Sequence, residues 1–150
     1  MTSQFDIVAT ETGLSSPPDG LGVNPYEVLI VASLIEEEAA LDEERAKIAR
    51  VIYNRLDRSI PLGIDATIVY ALGGDRELTL SDLAVDSPYN TRLVSGLPPT
   101  PISAPGRASI EAALQPAQGD WLYYVRTDES GVGSHTFTVT QEDFNEAVLI

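Results

Sequence analysis

Three consecutive glutamates close the apolar stretch that begins at Val28: Glu36, Glu37 and Glu38. Successive residues of a helix turn by about 100°, so the three carboxylates must point in different directions. The apolar side chains form one broad arc, and Glu38 falls within it. Glu36 falls on the far side, and Glu37 lies at the margin. A carboxylate turned inward loses hydration and its pKa rises, as a general acid near neutral pH requires. Glu38 is therefore the first catalytic candidate, and a structural ion pair is the alternative.

Other reactive residue types are scarce. The chain has one histidine, His135, and no cysteine. A zinc ribbon, a thiol nucleophile and a disulfide framework are thereby excluded. Carboxylates alone can bind calcium or magnesium, but no EF-hand loop is present. We therefore predict no metal and no cofactor. For His135 a structural hydrogen bond is favoured over general-base catalysis.

Two enzyme classes lack their motifs. A pyridoxal-phosphate lyase needs a Schiff-base lysine, and the single lysine, Lys47, has no phosphate-binding glycine loop beside it. The G-x-S-x-G motif of serine hydrolases is absent.

The charge balance excludes further classes. The 150 residues suit one domain with its own core. Nine Lys and Arg residues face 23 Asp and Glu residues, a net charge of -14. A nucleic-acid-binding surface must be basic, so we exclude nucleic acid as a partner. An anionic membrane surface would also repel the chain, whereas a neutral or mixed-charge polymer would not. Neither a membrane-spanning apolar run nor a signal peptide is visible.

Helical patterns position the candidate acid. Asn24 with Pro25 and Glu27 forms a capping box, which predicts a helix from Pro25 to about Ala40. Residues 1–23 are predicted to be a flexible lead-in with a short strand at Phe5–Val8. Further helices are predicted at Glu43–Arg58 with Asp42 as N-cap, at Ala66–Leu72 with Asp65 as N-cap, and at Gly106–Leu114, with a helical turn at Thr79–Leu83.

The rest of the chain predicts a loop, a hairpin and a last helix. Ser87–Pro105 contains five prolines and is expected to be irregular but held by tertiary contacts. Trp121–Arg126 and His135–Thr140 are expected to form an antiparallel hairpin around a turn at Glu129–Ser134. Thr140 is expected to cap a helix from Gln141 that reaches Ile150 and is truncated there. The predicted class is α+β, mostly helical with a small antiparallel sheet and a lysozyme-like active-site helix.

Seven short motifs follow one another in a recognisable order. They are Val31–Ala39, Val51–Leu56, Pro61–Leu62 with Asp65, Thr67 and Tyr70, Ser87–Thr91, Gly96–Ile102, Trp121–Val125, and His135–Phe137. In this order they resemble the YceG-like family, the endolytic murein transglycosylases, over roughly Pro25 to Val148. The collinear set is specific, although no single motif is.

The resemblance implies a cell-wall enzyme that cleaves peptidoglycan strands between N-acetylmuramic acid and N-acetylglucosamine and leaves a 1,6-anhydro end. The family's catalytic acid is the last acid of the first motif, which is Glu38 here. The substrate cleft is expected to be lined by Asp65, Thr67, Tyr89 and Asn90. For Tyr89 and Asn90 the alternative role is to hold the proline-rich loop. For Trp121 and the adjacent tyrosines, core packing is favoured over stacking on sugars.

The resemblance also implies partners and a location. Glycan strands and cell-wall synthesis proteins are the expected partners, and the full-length protein is expected to be membrane-anchored on the extracytoplasmic face. We assign residues 24–150 to the catalytic domain. Two alternatives stay open: a muramidase-type hydrolase that uses Glu38 and Asp65, and a non-catalytic cell-wall scaffold. Ala66, Arg92 and Phe144 depart from the family pattern.

Overall fold

A computed structural model describes residues 4–127 and 132–148. Within these residues lie six α-helices, three short 3-10 turns and one two-stranded antiparallel sheet. The helices are α1 (Gln4–Thr12), α2 (Pro25–Glu38), α3 (Arg45–Asp57), α4 (Asp65–Ala71), α5 (Arg107–Leu114) and α6 (Gln141–Val148); the strands are β1 (Tyr123–Arg126) and β2 (His135–Thr138). The predicted α+β class is confirmed.

Helix α2 begins where its capping residues predict. The Asn24 side-chain oxygen accepts from the Glu27 backbone N–H at 2.8 Å, and the Glu27 carboxylate accepts from the Asn24 backbone N–H at 3.0 Å. Pro25, at the first helical position, has no N–H that needs a partner. The helix ends at Glu38 because the backbone of Ala39 is extended, so the candidate acid is the last residue of the helix.

Helix α2 is the centre of the hydrophobic core and packs against α3 and α5. Each large apolar side chain buried there stabilises the fold by about 1.5–3 kcal/mol. The fully buried members include Val28, Val31, Leu34 and Ile35 of α2, Ile48 and Ile52 of α3, and Ile110 of α5. The acid at the end of α2 is therefore attached to a helix whose preceding residues are buried in the core.

The lead-in differs from its prediction. The strand predicted at Phe5–Val8 is wrong, since these residues lie in α1. This helix packs against α5, Val8 is buried in the core, and Arg107 of α5 forms an ion pair with Glu11. Burial of Val8 against a neighbouring helix outweighs the local β-propensity of this apolar stretch, a contact that local sequence does not reveal.

The proline-rich stretch at 87–105 has no regular structure, as predicted, and is held by the core. The buried hydroxyl of Ser33 on α2 accepts a hydrogen bond from the backbone N–H of Ile102 at 3.1 Å. The hydroxyl of Ser103 donates to the Ser33 carbonyl at 3.0 Å. A polar residue inside the apolar face of α2 thus attaches the loop to the core helix.

The hairpin and α6 cover the remaining side of the site. Strands β1 and β2 pair antiparallel with Tyr124 opposite Phe137, which confirms the predicted hairpin. The Thr140 hydroxyl accepts from the Asp143 backbone N–H at 3.1 Å and caps α6 as predicted. The predicted turn at Glu129–Ser134 and the predicted helix end at Ile150 fall partly outside the described residues.

Across residues 4–127 and 132–148, no helix combines the length and the apolar character needed to cross a bilayer.

Candidate active site

The three consecutive acids of α2 have three different environments. Glu36 accepts hydrogen bonds from the Gly106 backbone N–H at 2.8 Å and the Ser109 hydroxyl at 3.1 Å. Glu37 is exposed. Glu38 is half-buried, and its Oε1 accepts a hydrogen bond from the Tyr124 hydroxyl at 2.7 Å. The prediction that Glu38 is the acid that turns inward is confirmed.

A cavity of about 170 Å³ lies beside the Glu38 carboxylate. Apolar side chains of α3 and of the segment before α4 share its wall with the polar groups of Glu38, Arg55 and Tyr124. The lining residues are Val51, Ile52, Arg55, Leu62, Gly63, Ile64, Tyr124 and Phe144. Packing of Glu38 against these walls removes much of the water that would otherwise stabilise its negative charge.

Burial raises the pKa of Glu38 above its usual value of 4.5. The hydrogen bond from Tyr124 and the charge of His135 lower that pKa, while the charges of Asp65 and Glu37 raise it. Burial prevails, so the proton is retained to a higher pH than on an exposed glutamate. Burial also raises the pKa of Tyr124 well above 10, so its hydroxyl stays protonated and remains a donor to Glu38.

A second acid fixes the hairpin that carries Tyr124. The buried carboxylate of Glu44 accepts from the His135 backbone N–H at 2.9 Å and lies 3.0 Å from the His135 ring Nδ1. The His135 ring contacts the Tyr124 ring edge-on, with centroids 5.3 Å apart. His135 therefore has the structural hydrogen-bonding position predicted for it.

Asp65 lies at the margin of the site. Its two carboxylate oxygens accept from Arg92 at 2.6 and 3.0 Å. The carboxylate is close enough to Glu38 for its charge to raise the pKa of Glu38. The expectation that Asp65 caps α4 is wrong, because α4 begins at Asp65 itself and its side chain faces Arg92.

Two predicted cleft residues are closed to any ligand. Thr67 is fully buried, and its hydroxyl bonds to the Ile64 carbonyl at 2.8 Å and lies 3.1 Å from the Thr91 hydroxyl. Asn90 is fully buried, and its amide donates to the carbonyls of Leu83 and Val85 at 3.1 and 2.9 Å. The expectation that Thr67 and Asn90 line the cleft is corrected: their polar groups are used to hold the loops around the site.

Tyr89 is half-buried and its hydroxyl lies 2.8 Å from the Thr100 hydroxyl, which links two turns of the proline-rich stretch. Its ring contacts Tyr70 with centroids 5.3 Å apart. Of the four predicted cleft residues, Asp65 and Tyr89 keep accessible surface.

Sequence reasoning missed two residues that shape the cavity. Tyr124 is the donor to Glu38, although its aromatic strand predicted core packing. Arg55 donates to the Leu122 carbonyl at 2.6 Å and to the carbonyls of Pro61 and Leu62 at 2.8 and 3.1 Å. It thereby ties β1 to the segment before α4. The only sequence signal for Arg55 was its place in the Val51–Leu56 motif.

Within residues 4–127 and 132–148, no three Asp, Glu or His side chains are arranged to hold a metal ion.

The fold and the site define a class of mostly helical α+β domains with a half-buried acid at the end of a core helix. The model of the YceG-like family matches residues 1–149, and the chain belongs to that family.

Relatives and a solved structure agree with this assignment. The chain is 44% identical over 126 residues to the endolytic murein transglycosylase of Bacillus subtilis (strain 168) and 38% identical over 128 residues to that of Streptococcus pneumoniae. These matches cover 83% and 81% of this chain but only 34% and 23% of the relatives. A crystal structure of a protein described as YceG-like from Listeria monocytogenes superposes with a TM-score of 0.83 at 38% identity, covering 94% of this chain and 45% of that one.

Proposed function

We propose that this chain is the catalytic part of an endolytic murein transglycosylase, with Glu38 as its single acid and base. The observation that carries the proposal is the half-buried Glu38 carboxylate that borders a cavity, with its pKa raised by burial. The relatives in Bacillus and Streptococcus bear the name of this activity. A net charge of -14 also suits a substrate that is not strongly anionic.

The reaction needs one group that first donates and then accepts a proton. Protonated Glu38 gives its proton to the glycosidic oxygen of the leaving N-acetylglucosamine as the bond to C1 of N-acetylmuramic acid breaks. The N-acetyl group of the muramic acid stabilises the developing positive charge at C1. The C6 hydroxyl of the same sugar then attacks C1, and the Glu38 carboxylate takes its proton. A 1,6-anhydro ring forms, no water is consumed, and Glu38 is again protonated.

The surroundings of Glu38 suit both halves of this cycle. Burial raises the pKa of Glu38 and so favours the protonated acid that the first half needs. The Tyr124 hydroxyl, held on Oε1, stabilises the carboxylate that remains afterwards. Because Oε1 is engaged with Tyr124, Oε2 is the oxygen through which the proton is exchanged with the sugar.

A hydrolase would need a second carboxylate to activate water. Asp65 is the candidate for that role, and its charge acts on Glu38. Both of its oxygens accept from Arg92, however, which occupies the atoms that would activate water and favours a role in holding the cleft wall.

The whole protein is longer than this chain in the relatives that it matches. We propose that the full-length protein acts on peptidoglycan strands at the extracytoplasmic face of the membrane, held by an anchor, and meets cell-wall synthesis proteins there. In this proposal Asp65 and Tyr89 contact the strand, and Thr67 and Asn90 support the loops behind them.

The test is mass spectrometry of purified peptidoglycan digested by the wild type, Glu38→Gln and Asp65→Asn. Anhydromuropeptides from the wild type, their loss in Glu38→Gln and a reduced but unchanged product set from Asp65→Asn are expected. Glu43→Gln is the matched control, because Glu43 is an exposed acid outside the cavity beside Glu38 and should be dispensable.

Other outcomes identify the alternatives. Reducing muramic acid ends, lost in both Glu38→Gln and Asp65→Asn, would show the hydrolase. Anhydro products that persist in Glu38→Gln would refute the role of Glu38. Binding of strands by the wild type without any cleavage, with or without an attached anchor domain, would show the scaffold.

A further inference from the structure

A second cavity, of about 340 Å³, opens between the end of α2 and helix α4. Its walls include Glu37, Ala66, Val69, Tyr70, Asp75 and Ile102. Glu37 directly precedes Glu38, and Ala66 directly follows Asp65. Since consecutive Cα atoms are about 3.8 Å apart, the backbone that forms this cavity continues directly into the backbone that carries Glu38 and Asp65. A polymer that occupies the active site therefore has a second concave surface within reach.

Tyr70 gives this cavity an exposed aromatic surface. It is 45% exposed although most of the large apolar side chains of α2 and α3 are buried. Its ring contacts the ring of Tyr89, whose hydroxyl is fixed to Thr100 at 2.8 Å. Ile102, on the opposite wall, is fixed through its backbone N–H to Ser33. Because Tyr70 is braced by a fixed neighbour, little conformational freedom is lost when a ligand packs against it.

The polar groups of the cavity are acceptors with negative charge. Glu37 and Asp75 are both exposed carboxylates on its wall. They suit ligands that present hydroxyl and amide donors, and they repel phosphates and free carboxylates. An aromatic ring beside hydrogen-bond acceptors matches a pyranose, which has an apolar face and a rim of hydroxyl groups. The chemistry therefore favours an uncharged sugar, and in the proposed substrate strand the uncharged ring is N-acetylglucosamine.

We propose that this cavity is a glycan subsite in which Tyr70 packs against a neutral N-acetylglucosamine ring of the strand. Glu37 and Asp75 accept hydrogen bonds from that ring. This inference rests on the proposed function, because the ring belongs to the same strand that Glu38 cleaves.

The test measures binding without cleavage. Calorimetric titration of the Glu38→Gln protein uses peptidoglycan glycan strands whose stem peptides have been removed by an amidase. Adding Tyr70→Ala is expected to weaken binding about tenfold, as one stacked ring with its buried area would. Tyr70→Leu, which keeps apolar volume but loses the flat ring, is also expected to weaken it. Tyr70→Phe should change the affinity by less than about twofold.

Tyr26 provides the matched control. It is 51% exposed, lies in the first turn of α2 and lines a different cavity. Tyr26→Ala in the Glu38→Gln protein should leave binding unchanged. Thermal melting of every variant verifies that each one is folded.

Each other result overturns the subsite. The subsite is refuted if folded Tyr70→Ala binds the strands as tightly as its parent. It is also refuted if Tyr26→Ala weakens binding as much as Tyr70→Ala does. A parent that does not bind these strands at all would do the same. The products of the wild-type enzyme report separately on the proposed function, since anhydromuropeptides can form whether or not Tyr70 contributes to binding.

Discussion

Replacing Tyr124 by Phe removes one hydroxyl from Glu38 and keeps the ring contact with His135. The Tyr124 hydroxyl favours the ionised form of Glu38 over the protonated form. A hydrogen bond to a charged acceptor contributes about 1.5–3 kcal/mol, whereas one between neutral groups contributes about 0.5–1.5 kcal/mol. The difference, about 1 kcal/mol, is the free energy by which Tyr124 stabilises ionised Glu38 over protonated Glu38. The variant is therefore expected to hold the Glu38 proton more tightly.

Two kinetic consequences have defined directions. The general acid is active only while it is protonated. The alkaline limb of the pH profile of kcat/KM should therefore move to higher pH, by less than about one unit. The rate on the plateau should fall by roughly fivefold, because the carboxylate left after proton donation loses about 1 kcal/mol of stabilisation. His135, Asp65 and Glu37 also act on the pKa of Glu38, and the substitution leaves all three in place.

The assay follows the release of anhydromuropeptides from defined strands at a series of pH values. Tyr123→Phe is the control, because Tyr123 is adjacent on β1 but contacts Phe144 and Arg55 rather than Glu38. A limb that stays in place, or moves to lower pH, would refute the assignment of Tyr124 as the donor that tunes Glu38. An equal effect of Tyr123→Phe would show that the strand, and not the hydroxyl, is responsible.

Three further substitutions test stability. The pKa of Glu38 is raised by folding, so the folded state loses stability as pH rises from the usual glutamate pKa through the raised pKa of the folded protein. Calorimetry should therefore show Glu38→Gln melting higher than the wild type at neutral pH, with a gain that shrinks in acid. Arg55→Lys should lower the free energy of unfolding by about 2 kcal/mol in urea, because a lysine cannot serve all three carbonyls. Asn90→Ala should cost about 2 kcal/mol and speed proteolysis within residues 87–105.

Matched control variants separate these effects from a nonspecific change in stability. Glu37→Gln removes an exposed acid and should not reproduce the gain of Glu38→Gln. Arg58→Lys, at an exposed position one residue past α3, should change stability little. A Glu38→Gln protein no more stable than the wild type at neutral pH would contradict the desolvation of Glu38. Unchanged proteolysis of Asn90→Ala would contradict the loop-holding role.

The predictable parts of the fold are those specified by neighbours in sequence. The capping box at Asn24 and the apolar periodicity after it specify α2, and Thr140 specifies the start of α6. Helix α1 was not predictable, because Val8 is buried by α5, about a hundred residues away in sequence. The predicted cap at Asp65 is wrong because the capping rule considers only neighbours in sequence. The partner of the Asp65 side chain, Arg92, lies 27 residues further on.

The residues of the candidate site likewise differ in how far the sequence predicts them. The inward direction of the Glu38 side chain can be predicted from helical geometry, since it depends only on the residues of its own helix. Its partner Tyr124 is 86 residues away, and that contact depends on how the hairpin packs against α2. Resemblance pointed to Thr67 and Asn90, but a motif does not distinguish a side chain that contacts substrate from one that is buried behind it.

The position of Glu38 at the end of α2 joins fold and chemistry. Burial is the largest cause of its raised pKa. The carboxyl end of a helix also carries partial negative charge, which disfavours a carboxylate within the last turn. The extended backbone of Ala39 ends the helix there, so the acid is held by the rigid core helix and still borders an open cavity. One turn earlier, Leu34 and Ile35 are fully buried, and an acid there would have no access to a glycan.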